Sequence, residues 1–353
     1  MNVVGMRKYT SIFDTFTSQE SSRDEVFDLL KGVALLLVIL GHCRAGALYP
    51  FIYSFHMPLF FFVSGYFFKN RPIKEEVALS FKRLLVPYFF ASFCICSIAA
   101  FVDVCTNAGT DFSYTQVRVI RCLLGFRGEA VPDWIDGHVG LLWFIFAMFW
   151  ARSLVICLIR KIKSVILLGV VFVALGLFGV FMGERLFVPY CIPQGFSAAG
   201  FIFVGYLIKR YDLLSATNSK KIIPFLVIIW LYTWRNGGMS MARSFYSSGY
   251  IFDLLGALGA FFILHRFVEA FFCKESFFWQ VVRFLGRFSL VAYMVHSVEY
   301  DLVNWKLFAT YLHIPFDFFD VFQILTRLIL VVLFTIFILK NQLLREKIFQ
   351  IRT

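Results

Sequence analysis

Long apolar segments alternate with short polar ones along the chain, from near residue 25 to near residue 340. A helix needs about 20 apolar residues to cross a hydrocarbon core of about 30 Å. The alternating ten-residue strands of a transmembrane barrel do not occur in the sequence. The pattern therefore predicts an all-α integral membrane protein, a bundle of about ten transmembrane helices. The predicted spans are 25–47, 50–68, 83–104, 139–159, 164–182, 190–208, 222–234, 248–268, 283–300 and 318–339.

Composition supports this assignment, because 60% of the residues are hydrophobic, 20% are aromatic and only 16% are charged. Soluble domains carry a larger charged fraction and fewer apolar residues. The seventh span is short and contains Pro224, which favours a tilted or kinked crossing.

The basic residues are concentrated in every second connection between the predicted spans. Short cytoplasmic loops are enriched in lysine and arginine. We therefore expect two cytoplasmic tails, 1–24 and 341–353, flanking a membrane domain at 25–340. This bias accounts for most of the formal charge of +12 and leaves room for an anionic cytosolic ligand. The predicted partner is thus the lipid bilayer, and no nucleic acid is expected.

The eight cysteines form no CxxC pair, and most lie in or beside apolar spans. They are interpreted as small buried hydrophobic residues, and no metal site is predicted. Cys105 and Cys122 both fall in the predicted outer loop 105–138, where a disulfide or two free thiols are chemically permitted.

The first span contains three titratable groups, Asp28, Lys31 and His42. Lys31 and His42 lie about 16 Å apart along a helix and on roughly the same side of it, with His42 in the outer half. Asp28 precedes Lys31 by one helical turn, a spacing that lets its carboxylate pair with the ammonium. Charged groups inside a membrane usually face a cavity or a partner, so these residues are candidate site residues.

The second span returns after a short turn near Tyr49 and Pro50. His42 precedes that turn by about as many residues as His56 follows it. Two histidines at similar depth on adjacent antiparallel helices favour a site over two separate structural roles.

The ninth and fourth spans add further candidates. His296 is expected about 20 Å along one helix from Arg283, which places it in the outer half with Tyr293 one turn below. His138 and Trp143 begin the fourth span from the outer side. Alone, Tyr293 and Trp143 are equally typical of packing or interfacial aromatic residues.

These residues form two predicted layers. Imidazoles collect toward the outer side, and His265 and His313 are interpreted as structural. An imidazole near neutrality can remove a proton from a hydroxyl as it attacks a carbonyl, whereas arginine suits phosphate. The residues therefore suggest a donor bound inside, an acceptor bound outside and a histidine between them. The inner cations are Lys31, Lys82, Arg83, Arg283 and Arg287.

Five sequence features occur in one order. They are the Lys31-x10-His42 spacing, "FHMPLFFFVSGYFF", "FKRLLVPYFF", "GLLWFIFAMFW" and "GRFSLVAYMVH". Together they closely resemble the membrane-bound acyltransferase-3 family over about residues 23–340. The resemblance implies ten core helices, a bacterial cytoplasmic membrane location, and O-acylation of a cell-surface or lipid-linked carbohydrate. It implies acetyl-CoA or another acyl-CoA as the donor substrate, with no bound cofactor.

By the same resemblance, His42 is the principal catalytic residue, Lys31 is its motif partner, and His56 belongs to the second signature. Arg83, with Lys82 beside it, corresponds to the basic donor-binding position of the third helix. Several relatives carry paired arginines three apart there, whereas this chain has Ser80 before Arg83. Some relatives also carry a soluble hydrolase-like domain after the last helix. Since the sequence ends at residue 353, we expect transfer to finish in the membrane domain or on a separate partner.

Two other classes remain open at this stage. A transporter or flippase also uses buried histidine, aspartate and lysine, as proton relays or substrate paths. A membrane scaffold is the third reading, although it leaves the clustered titratable residues without a purpose. Whether His42 accepts the acyl group covalently or acts only as a base is also open.

Overall fold

A computed structural model describes residues 24–43, 46–107, 111–272, 276–315 and 318–351, and helices make up most of this part of the chain. One short antiparallel hairpin pairs β1 (Met239–Ser240) with β2 (Phe245–Tyr246). A π-helical turn, Phe81–Leu85, joins α4 to α5. In chain order the helices are α1 (Glu25–Gly41), α2 (Tyr49–Tyr53), α3 (His56–Tyr66), α4 (Ile73–Ser80), α5 (Val86–Asn107), α6 (Ser113–Leu124), α7 (Trp143–Lys161), α8 (Val165–Arg185), α9 (Ile192–Arg210), α10 (Ala216–Arg235), α11 (Tyr250–Phe271), α12 (Phe277–Arg287), α13 (Ser289–Leu302), α14 (Trp305–Tyr311) and α15 (Phe319–Lys340).

Within the described ranges, seven helical segments are long and apolar enough to cross a membrane, and the pair α12 and α13 adds an eighth if it is one crossing. The predicted all-α, multi-pass class is confirmed. The number ten and the cytoplasmic position of both termini stay predictions. Helix α1 has 17 residues, about 25 Å at 1.5 Å per residue, which is short for a crossing. Helix α10 begins with the polar run "TNSKK".

The predicted ninth span is not one straight helix, because α12 and α13 meet at 87°. The chain breaks at Phe288, whose φ of −108° and ψ of 30° are not helical. The expected 20 Å rise along one axis from Arg283 to His296 is therefore wrong. Helix α12 instead crosses α1 at two glycines, since a Cβ on Gly286 would collide with the Asp28 carbonyl and one on Gly32 with that of Val282.

Helix α3 packs tightly against α9. A Cβ on Gly65 would collide with the carbonyl of Ile202, and one on Gly205 would collide with that of Phe62. Small residues allow such close backbone approach, which is how helices associate in lipid. The aromatic run "FHMPLFFFVSGYFF" is therefore core, with Phe61 and Phe62 fully buried, and this packing fixes the helix that begins at His56.

The permitted disulfide does not form, because Cys105 and Cys122 are both free thiols. Helices α5 and α6 are antiparallel neighbours, so the end of one lies beside the start of the other. Asp103 accepts hydrogen bonds from Thr115 at the first end, while the Tyr88 hydroxyl donates to the Cys122 carbonyl at 2.7 Å at the second. The antiparallel register therefore places the two thiols at opposite ends of the helix pair.

Candidate active site

A cavity of about 160 Å³ lies among the end of α1, the helices α2, α3 and α13, and the loop that precedes α7. We call it the histidine cavity. No carboxylate from the described residues lines it. Its titratable and aromatic lining consists of two imidazoles, four phenols, two guanidiniums and one indole: His42, His56, Tyr49, Tyr53, Tyr293, Tyr300, Arg127, Arg243 and Trp143.

His42 caps the C-terminus of α1, and its N–H donates to the carbonyls of Val38 and Ile39. Its own carbonyl accepts a hydrogen bond from Arg327 Nη1 at 3.1 Å. The backbone is thus held on both sides, whereas the imidazole makes no hydrogen bond to any described residue. The ring centroids of Tyr300 and His296 lie 5.0 and 5.8 Å from that of His42. This is an anchored residue whose ring is open to the cavity.

His56 is the first residue of α3 and is 4% exposed. Its Nδ1 lies 2.7 Å from the carbonyl oxygen of Ile52. Because a carbonyl only accepts, Nδ1 must carry the proton, and Nε2 then keeps a lone pair. The break between α2 and α3 therefore presets the tautomer of a second imidazole in the same cavity.

His296 is fully buried and lies behind His42. Its Nδ1 donates to Glu299 Oε2 at 2.9 Å, and its Nε2 is buried with no partner in the described chain. Glu299 also accepts a hydrogen bond from the Trp305 indole and lies 3.3 Å from Arg327 Nε. A carboxylate thus fixes the tautomer of His296 and leaves its Nε2 as an acceptor near the His42 ring.

The other predicted outer residues divide into two groups. Trp143 and Tyr293 line the histidine cavity, and the Tyr293 hydroxyl donates to the Leu141 carbonyl at 2.5 Å. His138 does not line it; its ring centroid lies 5.9 Å from that of Phe126, with the two ring planes tilted by 45°. Burial lowers the pKa of His138 to about 4, with the Arg127 cation adding to the shift.

A second space, which we call the basic cavity, consists of two adjoining volumes of about 410 and 530 Å³. Tyr293 lines the smaller of these two volumes, the one of about 410 Å³, and it also lines the histidine cavity, so one phenol ring stands between the two cavities. The residues shared by both volumes are Lys31, Phe67, Glu76, Arg83 and Arg152.

Two buried carboxylates hold cations in the basic cavity. Asp28 lies 2.8 Å from Lys31 Nζ, as the spacing predicts. Glu76, 1% exposed, pairs with Arg152, whose Nη1 donates to Ser64 Oγ at 2.7 Å. Such pairs satisfy the charge of groups that would otherwise be costly to bury.

The two predicted donor residues differ in position. Arg83 lines both volumes of the basic cavity. Among the described residues, its guanidinium makes no hydrogen bond, and no carboxylate lies within 4 Å of it. Lys82 is exposed and lines neither volume. At the position three before Arg83, Ser80 Oγ lies 3.4 Å from Arg152 Nε, so α7 supplies a guanidinium beside this serine.

Sequence reasoning missed Arg127, Arg152, Glu299 and Arg327. Arg152 and Arg327 are single charges inside predicted spans, and the rule that intramembrane charges are functional candidates would have found both. Glu299 follows His296 by three residues, a spacing that favours a contact on one helix face. For Arg127, a loop residue, no comparable signal exists in the sequence.

Comparison with known proteins agrees with the resemblance in the sequence. The profile of a family described as an acyltransferase domain matches residues 24–339. A nodulation protein NolL of Sinorhizobium fredii is 33% identical over 86 residues, which cover 20% of this chain and 24% of that protein. A nodulation protein NolL of Mesorhizobium japonicum is 29% identical over 145 residues, covering 36% and 34%. The matches thus span about a quarter and a third of these relatives, and no solved structure matches the chain.

Proposed function

The chain belongs to the acyltransferase-3 family, and we propose that it is a membrane-embedded O-acyltransferase, most simply an O-acetyltransferase. The donor is a cytosolic acyl-CoA, and the acceptor is a hydroxyl of a cell-surface or lipid-linked carbohydrate. The protein acts in a bacterial cytoplasmic membrane.

The observation that carries this proposal is the meeting of two unlike cavities at Tyr293. One contains cations suited to the phosphates of a coenzyme, and the other contains imidazoles suited to proton transfer. A transferase that joins reactants from two compartments needs both kinds of site, with the reacting carbonyl at their boundary. Tyr293 marks that boundary.

On the donor side, Arg83 has an unengaged guanidinium at the wall of the basic cavity. Arginine binds phosphate through paired N–H groups, and such charge-assisted hydrogen bonds are stronger than those between neutral groups. Arg152 and Lys31 supplement this charge but are already partnered by Glu76 and Asp28. We assign Arg83 the leading role in donor binding, and Lys82, outside the cavity, a weaker long-range one.

On the acceptor side, His42 removes the proton from the acceptor hydroxyl as its oxygen attacks the thioester carbonyl. The new C–O bond forms, the C–S bond breaks, and the proton passes from His42 to the leaving thiolate, which gives the ester and free coenzyme A. Glu299 holds His296 in the tautomer whose Nε2 is unprotonated. The His42 ring lies beside this nitrogen. An N–H of His42 directed at His296 Nε2 leaves the other ring nitrogen of His42 to act as the base. His56 Nε2 is the second acceptor in the cavity.

The test uses the full-length protein in nanodiscs with radiolabelled acetyl-CoA and a glycolipid extract from the native organism. We expect label to appear in base-labile glycan esters, and His42→Asn to lower the rate about a thousandfold. His313→Asn is the matched control, because His313 is an exposed loop histidine that lines neither cavity.

Two outcomes would contradict parts of the proposal, and a third would invalidate the assay. Equal labelling by the wild type and His42→Asn would remove His42 from the reaction. Loss of labelling in His313→Asn would show that the assay reports general damage. Movement of an intact solute across the bilayer, with no label transferred from any acyl-CoA tested, would favour a transporter instead.

A further inference from the structure

Arg127 is a cation in the histidine cavity that has no anionic partner among the residues that the structure describes. Its Nε is buried without a hydrogen bond, and its guanidinium pairs with no carboxylate of the described chain. The other cavity arginine, Arg243, is neutralised by Glu129 at 2.6 Å. An uncompensated charge in a partly buried site is costly, and such charges usually mark a binding function.

The fold holds Arg127 in this position rather than leaving it on a loose loop. Helix α6 ends at Gly125, whose φ of 54° lies in the left-handed region, and a Cβ there would collide with the Phe146 ring. The Gly125 carbonyl accepts from Cys191 Sγ at 3.0 Å, and the Arg127 carbonyl accepts from Gln194 Nε2 at 2.6 Å. Both donors are fully buried residues at the start of α9. The backbone beside the guanidinium is thus fixed by the protein core.

The remainder of the lining indicates what the cation faces. The cavity contains four tyrosines, a tryptophan and two imidazoles, but no carboxylate from the described residues. Phenol hydroxyls and a flat indole suit the hydroxyls and apolar face of a sugar, whereas a guanidinium suits a carboxylate or phosphate. The space that adjoins the cavity at Tyr49 and Arg243 contains two acidic side chains among the described residues, Glu129 and Glu184. Glu129 is already paired with Arg243, and Glu184 lies 3.9 Å from Arg185.

We propose that Arg127 binds an anionic group of the acceptor, so that the acceptor is a sugar bearing a carboxylate or a phosphate. This inference rests on the proposed function, because it assigns the histidine cavity to the acceptor. The anion anchors the sugar at one end of the cavity, and a hydroxyl on the same unit then reaches His42.

The experiment measures binding without acyl-CoA, so it stands apart from the transfer reaction. The full-length protein in phosphatidylcholine nanodiscs is titrated with methyl glucuronide, with its uncharged methyl ester, with methyl glucoside and with methyl glucoside 6-phosphate. Ligand-observed NMR gives the dissociation constants. The variants are Arg127→Gln, the charge-conserving Arg127→Lys, and Arg121→Gln as a matched control, because Arg121 is held by Asp136 in the same loop region and does not line the cavity.

We expect the wild type to bind at least one anionic probe about tenfold more tightly than its neutral counterpart, the size of one charge-assisted hydrogen bond. Arg127→Gln abolishes this preference, Arg127→Lys keeps part of it, and Arg121→Gln keeps it whole. Comparison of the glucuronide with the 6-phosphate shows whether the cavity prefers a carboxylate or a phosphate. Equal affinity for charged and neutral probes, no measurable binding of either anion, or a preference that survives Arg127→Gln would overturn the proposal. Acyl transfer to a neutral sugar would leave the proposed function intact while removing this inference.

Discussion

The basic cavity and the histidine cavity differ in how their charged side chains are paired. In the basic cavity, Lys31 and Arg152 are each held by a buried carboxylate, Asp28 and Glu76. In the histidine cavity no carboxylate of the described residues reaches the lining, and the buried acid Glu299 lies one layer behind, on His296. The protein thus balances Lys31 and Arg152 in the first space and leaves Arg83 to the donor. The second space presents imidazoles that can accept a proton, together with the Arg127 guanidinium, which has no carboxylate partner among the described residues.

This difference matches two different tasks. A charged site that is partly neutralised attracts a multivalent anion without holding several bare cations in a low dielectric. A site for acid–base work needs a neutral ring with a defined tautomer, and an acid on the lining would compete for the incoming hydroxyl. Glu299 acts through His296 instead, which keeps negative charge out of the space where the acceptor binds.

The largest effect that distinguishes the cavities is expected from Glu299→Gln. The amide keeps the shape of the side chain but loses the charge that fixes His296, so kcat falls about a hundredfold while the KM for acyl-CoA is unchanged. Steady-state kinetics with labelled acetyl-CoA measure both parameters. Glu269→Gln, which removes an exposed carboxylate that is paired with Arg266 and lines neither cavity, is the control and leaves both parameters as in the wild type.

The thermal unfolding temperature of Glu299→Gln separates positioning from folding, because Glu299 also lies beside Arg327. A loss of kcat in a variant that melts with the wild type supports the positioning role. We expect Glu299→Asp, which keeps the charge, to recover part of the lost kcat. A rise in KM at unchanged kcat, with no recovery by Glu299→Asp, would instead move Glu299 to the donor side.

The hydrophobic pattern predicted the helical class, and it placed α7 and α8 close to spans 139–159 and 164–182. It could not show the bend between α12 and α13, because the residues around Phe288 include no proline to mark a break, while the helix ends beside Gly286, where α12 packs on α1. Local patterns predict which segments are helical. Contacts between distant segments decide where a helix turns.

The site shows the same division. Counting residues from the turn near Tyr49 was enough to expect His42 and His56 together, and one helical turn was enough for Asp28 and Lys31. Arg127 could not be predicted, because its position depends on hydrogen bonds from Gln194 and Cys191 that are more than 60 residues away in sequence. The residues that sequence finds are those positioned by their own helix.

A second prediction concerns α3, which contributes to both cavities. It carries His56 of the histidine cavity at one end and Ser64 of the basic cavity near the other. Gly65→Ala places a methyl group against the Ile202 carbonyl. We expect a loss of about 2 kcal/mol in the free energy of unfolding, the usual range for overpacking. Thermal unfolding in nanodiscs measures it. Gly169→Ala is the control, since nothing lies within 4 Å of a Cβ there; an equal loss in both variants would refute the role of the close crossing.

A smaller effect is expected on the donor side alone. Arg83→Gln should raise the KM for acyl-CoA about tenfold with little change in kcat, because one charge-assisted contact to phosphate is lost. Lys82→Gln removes the same charge one residue away but outside the cavity, and we expect a rise of about twofold or less. If both variants raise the KM equally, donor binding depends only on the total positive charge of this region and not on a contact with Arg83. If neither does, its phosphates bind elsewhere.

The smallest effect concerns His138, which stands outside the lining of the histidine cavity. Burial and then the nearby Arg127 cation lower the pKa of His138 to about 4 in the folded protein, against an ordinary value of 6.5. The unfolded chain therefore takes up the proton first, so stability from this group is complete above pH 6.5 and declines as the pH falls toward 4. Partial exposure to solvent weakens the effect. When the pH is lowered from 7 to 5, the unfolding temperature should thus fall less for His138→Gln than for the wild type. The drop for His313→Gln should equal that of the wild type. Equal losses in all three proteins would mean that burial and the Arg127 cation do not lower the pKa of His138 in the folded protein.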